Sequence, residues 1–164
     1  MQLALFETID TAKMQFRQAL ERGEHTDCPC CGRYAQIYRR KFHSSMAVQL
    51  IKLFAAGGAF EFIHASKLIM NNMAGIGDFT KAKYWGLIYP MEKPEDETAR
   101  KTSGYWRLSA NGEAFVRGHI AIPREVVVFD DRVLAMGTET VTIRQALADK
   151  FDYSQLLQGG MCAN

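Results

Sequence analysis

No apolar run in the chain approaches the roughly 20 residues that a bilayer-spanning helix needs. The N-terminus also lacks a basic segment leading into an apolar stretch and a small-residue cleavage site. A cytoplasmic protein without a membrane partner is the expectation. Equally missing are a phosphate-loop lysine motif, a Gly-x-Ser-x-Gly elbow, a His-Glu-x-x-His helix and a dinucleotide-binding glycine pattern. No spacing of the four histidines and the carboxylates sets a nucleophile beside a base, so catalysis is not expected. A large charge of one sign is absent too. Twenty basic and 18 acidic residues leave a net +2, so attraction to phosphate has to come from local patches. What is present is ordinary: 164 residues at 48% hydrophobic and 23% charged, enough for one filled core or two small domains sharing an interface.

Cysteine is scarce and badly distributed for a disulfide framework: Cys28, Cys30 and Cys31 are crowded together and Cys162 is far away. Cys28-Pro29-Cys30-Cys31-Gly32, read as Cys28-x-x-Cys31, looks like one knuckle of a zinc ribbon. Its tight turn aims two thiolates at one tetrahedral ion, and Gly32 lets the backbone turn. A second Cys-x-x-Cys is missing. His25 and His43 are the nearest further ligands along the chain, which makes zinc on Cys28, Cys31, His25 and His43 one expectation. A metal-free knuckle and a redox-active thiol pair are the others.

Next to the knuckle, residues 33–41 carry Arg33, Arg39, Arg40 and Lys41 with Tyr34 and Tyr38 and no acid. Arginine pairs with phosphate through two N–H groups and tyrosine stacks on bases, so this stretch reads as a nucleic-acid contact or as a solvated basic strand. Before the knuckle, Leu3, Phe6, Ile9, Met14, Phe16 and Leu20 predict an amphipathic helix stopping at Gly23, either covering the core or forming a homodimer.

Ser44 or Ser45 is expected to cap a core helix through Met46, Leu50, Leu53 and Phe54, ended by Gly57-Gly58. A brief strand Phe60-Glu61-Phe62 and a helix opened at His64 or Ser66 follow. Asp78 then caps a third helix through Phe79, Ala82 and Trp85, and Gly86 leads into the strand Leu87-Ile88-Tyr89. After a charged loop come the strand Tyr105-Trp106-Arg107-Leu108 and the helix from Ser109. Trp85 and Trp106 are expected in the core, Tyr105 is open, and Gly112 reads as a packing glycine.

Helix, strand, helix, turn, helix, strand, loop, strand and helix over residues 44–118 resembles a winged helix-turn-helix domain. Gly86-Leu87-Ile88 and Trp106-Arg107-Leu108-Ser109-x-x-Gly112-x-x-Phe115 look like the signature of MarR-type repressors. The resemblance implies double-stranded DNA as partner. By position, contacts fall to Thr80, Lys81, Lys83 and Tyr84 on the third helix and to Arg100, Lys101 and Arg107 in the wing. The net acidic run Glu92-Lys93-Pro94-Glu95-Asp96-Glu97 opposes that use of the wing.

Two apolar runs around Asp130-Asp131 predict a β-hairpin, with a divalent-cation site as the costlier reading of the two acids. Thr140 or Thr142 is expected to cap a last helix running on through Phe151 to Leu157. The fold expected is therefore α+β: an N-terminal helix and zinc-knuckle-like segment (1–43), the winged helix (44–118), a hairpin plus helix (119–158) and a loose tail (159–164). The whole looks like small proteins of bacteriophages and prophages. That resemblance implies either a DNA-binding regulator or accessory factor, or an inhibitor that binds a host protein such as a defence nuclease.

Overall fold

The computed structural model describes residues 8–68, 76–92, 104–148 and 151–158, and it is α+β. Helix α2, Ser44–Ala55, is its hub. Seven of its residues, Met46 to Ile51 and Leu53, are buried, and it packs against helices from both halves of the chain. Its N-cap position is held by His43, which makes no side-chain cap, so neither Ser44 nor Ser45 does the capping expected of it. Burial of an almost wholly apolar helix supplies the stability that a cap would otherwise add.

Around α2 runs the segment containing a three-stranded antiparallel sheet in the order β4-β6-β5: Ile63–His64, Tyr105–Leu108 and Ile88–Pro90. The first strand is not Phe60-Glu61-Phe62, because Phe60 is 76% exposed and pairing begins at Ile63 opposite Trp106. A 3-10 turn, Ala65–Leu68, stands where a second helix was expected, and its continuation lies outside the described residues. Helix α3 is Ile76–Phe79, and it passes into a 3-10 stretch, Thr80–Trp85. Asp78 therefore sits inside α3 rather than capping it, and its carboxylate accepts from Lys81 Nζ at 2.7 Å.

The junction after this helix is fixed by two glycines. Gly86 ends the 3-10 stretch at φ 66, a left-handed conformation open to glycine. Gly112 lies in helix α4, Ala110–Val116, against the backbone of Leu87, and a Cβ there would fall 2.0 Å from the Leu87 carbonyl oxygen. Ser109 ties the two: its hydroxyl donates to the Gly86 carbonyl at 2.6 Å and accepts from the Gly112 amide at 2.9 Å. Trp85, Trp106, Phe115 and Leu108 close the core here, with Phe42 edge-on to both Trp85 and Phe115.

The C-terminal part joins the same core. Short strands β7, Ile122–Pro123, and β10, Thr140–Val141, pair with each other. The predicted hairpin forms as β8, Glu125–Phe129, and β9, Arg132–Met136, with Asp130 and Asp131 both at positive φ in a two-residue loop. The last helix is broken into α5, Ile143–Leu147, capped by Thr142, and α6, Tyr153–Leu157, capped by Asp152. Both lie on α2, and Tyr153 donates to the Val116 carbonyl at 2.6 Å. Val126, Val128, Ile143, Leu147 and Leu156 belong to one apolar cluster with α2 and α4.

Residues 33–41 split into β2, Tyr34–Ala35, and β3, Tyr38–Lys41. Strand β2 pairs with β1, Thr26–Asp27, across the knuckle, while β3 pairs with β8, giving a second three-stranded sheet, β3-β8-β9. Helix α1, Ile9–Glu21, fully buries only Leu20 and leans on β1, so it covers the knuckle rather than the main core. Ile9 and Met14 remain exposed. Among the described residues no helix is long and apolar enough to cross a membrane.

Candidate functional site

Strand alternation divides the basic residues of β3. Tyr38 and Arg40 stand on the face that β8 turns inward with Val128 and Val126, while Arg39 and Lys41 stand on the other face, opposite Val127 and Glu125. Arg39 reaches Glu125 at 3.2 Å, but its side chain is 73% exposed, a pairing worth little in water. Arg40 lies over the Tyr38 ring, 4.5 Å from its centroid, a cation–π contact that holds the guanidinium in place.

On that inner side a cleft of about 420 Å³ opens between the knuckle, β3, the 3-10 stretch and the hairpin loop. Its lining includes Cys28 and Cys31 of the knuckle, Arg33, Tyr34, Tyr38 and Arg40, then Tyr84, and Asp130 and Asp131 of the hairpin loop. Seven residues singled out from the sequence for two different roles, the metal (Cys28, Cys31) and the nucleic acid (Arg33, Tyr34, Tyr38, Arg40, Tyr84), thus share one cavity. A larger hollow of about 520 Å³ at the opposite end of the β3–β8 ladder holds Lys41 and Arg124 beside Glu125 and Glu139. Its lining has no aromatic residue and sets two carboxylates among two cations, so the smaller cleft is the better-built site.

The knuckle itself is a closed turn: the Cys28 amide donates to the Arg33 carbonyl and the Gly32 amide to the Cys28 carbonyl, both at 2.8 Å. The backbone N–H of Cys30, and then that of Cys31, hold the Cys28 thiol below its usual range. Cys28, Cys30 and Cys31 are all free thiols. His25 packs against the Tyr34 ring at 5.9 Å, and His43 precedes α2. Among the described residues no three His, Cys, Asp or Glu side chains come together as a metal site, so the proposed set Cys28, Cys31, His25 and His43 is not assembled. The fourth cysteine, Cys162, lies outside the described residues. A turn adapted to thiolate is present, and among the described residues a tetrahedral donor set is not.

The third-helix cations are engaged inside the molecule. Lys81 pairs with Asp78 at 2.7 Å, and Lys83 reaches Asp131 of the hairpin loop at 2.7 Å. The Tyr84 hydroxyl donates to the other oxygen of Asp131 at 2.6 Å. Burial, and then that hydrogen bond, push the Tyr84 hydroxyl up to about 12, against the opposing charge of Arg40. Thr80 is half-buried at the start of the stretch. Arg107, expected in the wing, instead donates to the Ala59 carbonyl at 3.1 and 3.3 Å. The other expected wing contacts, Arg100 and Lys101, lie outside the described residues, as does all of the charged loop after Glu92.

Asp131 is the residue that reading the sequence left out of the site. Its partners are 47 and 48 residues away in the chain, and a two-residue acidic turn carries no sign of what it will face. Tyr34 and Tyr38 were legible as stacking groups from their interleaving with arginine. Comparison of the chain with protein-family models, with curated proteins and with solved structures gives no match.

Proposed function

We propose that residues 44–118 form a winged-helix domain and that the protein binds double-stranded DNA, as a regulator or accessory factor. The domain reading is supported by element order and by the sheet β4-β6-β5, in which the strand Ile88–Pro90 pairs with the strand Tyr105–Leu108. The observation that carries the DNA reading is the exposed outer row of β3. Arg39 and Lys41 stand on one face of a free sheet edge, in a stretch of nine residues without an acid. The third helix takes second place, because Asp131 already occupies Lys83 and Tyr84.

Duplex affinity should fall steeply with salt, and Arg39→Ala with Lys41→Ala should weaken it at every sequence and lower the salt slope by about two. Fluorescence anisotropy with a labelled duplex over a range of salt concentrations measures both. Absence of duplex binding at low salt would sink the proposal. A second reading, an inhibitor that binds a host protein, is favoured by β9, whose five residues are all exposed and include Val133, Leu134 and Met136.

A further inference from the structure

The cleft behind β3 is not accounted for by a duplex lying on the outer row. We infer that it receives a single unpaired nucleotide, with phosphate on Arg33 and Arg40 and the base against the tyrosine rings. This rests on the DNA reading and narrows it to nucleic acid with a single-stranded segment beside the duplex.

Size comes first. At about 420 Å³ the cavity lies in the range that small-ligand pockets take, about 300–1,000 Å³, and it admits one nucleotide but not a stacked base pair. Chemistry comes second. An unpaired base offers a π-face to aromatic rings whatever its identity, and Tyr34 and Tyr38 are 53% and 39% exposed at the cleft. Arg40 is held on the Tyr38 ring at 4.5 Å, so a phosphate meets a guanidinium already in place.

Polarity comes third. Asp130 and Asp131 of the hairpin loop also line the cleft, and their carboxylates disfavour a phosphate beside them, which directs the phosphate to Arg33 and Arg40. Position comes last. Tyr38 and Arg40 alternate with Arg39 and Lys41 across the free edge of β3, so a strand leaving a duplex on the outer face rounds that edge into the cleft.

The test compares three DNA probes on the full-length protein: a blunt duplex, the same duplex with a ten-nucleotide thymidine overhang, and the overhang strand alone. The overhang should tighten binding at least tenfold over the blunt duplex. Arg33→Ala with Arg40→Ala should abolish that gain, and Tyr38→Leu, which keeps an apolar contact but removes the ring, should reduce it about tenfold. Circular dichroism of each variant checks that the fold is kept. Should Arg40→Ala unfold the chain, Arg40→Lys keeps the charge and should still lose most of the gain. Equal binding of blunt and tailed duplex overturns the inference and leaves the DNA reading standing, as does a gain that survives the double variant. Binding of none of the three probes overturns both.

Discussion

In the sheet β4-β6-β5 the central strand buries Trp106 and Leu108, and Arg107 is spent on the Ala59 carbonyl. In the sheet β3-β8-β9 the central strand buries Val126 and Val128, yet both outer strands stay open to solvent. Both sheets are three-stranded and antiparallel, and the difference lies in their outer strands: β4 and β5 bury Ile63 and Ile88, whereas β3 and β9 bury no residue. The two edges of the second sheet are also unlike each other. Arginine and lysine occupy β3, which blunts strand addition by charge. In β9 the register shifts between Val127 and Val128, leaving Leu134 without an opposite residue, and a bulge of this kind bends an edge away from pairing. An internal sheet that positions α2 and α4 and an external sheet that presents chemistry therefore divide the work.

The sharpest way to break the internal half is Gly112→Ala. Its Cβ would meet the Leu87 carbonyl oxygen at 2.0 Å, a backbone atom that cannot rotate away, so a loss of about 3 kcal/mol or failure to fold is expected in a urea melt. Retained stability would show that α4 can slide off β5, and the contrast between the sheets would weaken.

A smaller effect is expected at the contact between the two halves. Asp131→Ala removes the exposed ion pair with Lys83 and the hydrogen bond from Tyr84, so stability should fall by about 1–2 kcal/mol. Duplex affinity should rise severalfold, with a steeper salt dependence, as a screening carboxylate leaves and Lys83 becomes available. A fall in affinity would mean that Asp131 orders the DNA-facing surface rather than masking it.

The smallest effect is a pH dependence. Burial and Asp131 raise the Tyr84 hydroxyl from its ordinary 10.0 to about 12, so the folded state prefers the protonated phenol. The associated stability is complete below pH 10 and lost as pH rises toward 12. Tyr84→Phe should remove that slope while leaving the remaining alkaline transition in place, as thermal melts across pH 9 to 12 would show. An unchanged slope would place the titration elsewhere.

Much of the fold was legible in the sequence. The apolar spacing of α2, Ser109 at the start of α4 and the Asp130-Asp131 turn each follow from local rules that act over a few residues. The failures share a cause. Phe60-Glu61-Phe62 alternates like a strand, yet pairing with Trp106 is what makes a strand, and that partner takes Ile63. Asp78 has the composition of a cap, but α3 begins before it. The candidate site was legible as residue types and not as a place: the arginines, tyrosines and thiols were visible, and their convergence with Asp130 and Asp131 was not.

By itself the sequence determined the α+β composition, the central apolar helix, the knuckle turn and the basic run, because propensity, periodicity and turn chemistry act between near neighbours. Only the tertiary structure decided that β3 pairs with β8 and that alternation sends Tyr38 and Arg40 to one side and Arg39 and Lys41 to the other. It also decided that Asp131 reaches across 48 residues to neutralise Lys83. Those outcomes depend on pairing register and on charges brought together by packing, which no spacing along the chain encodes.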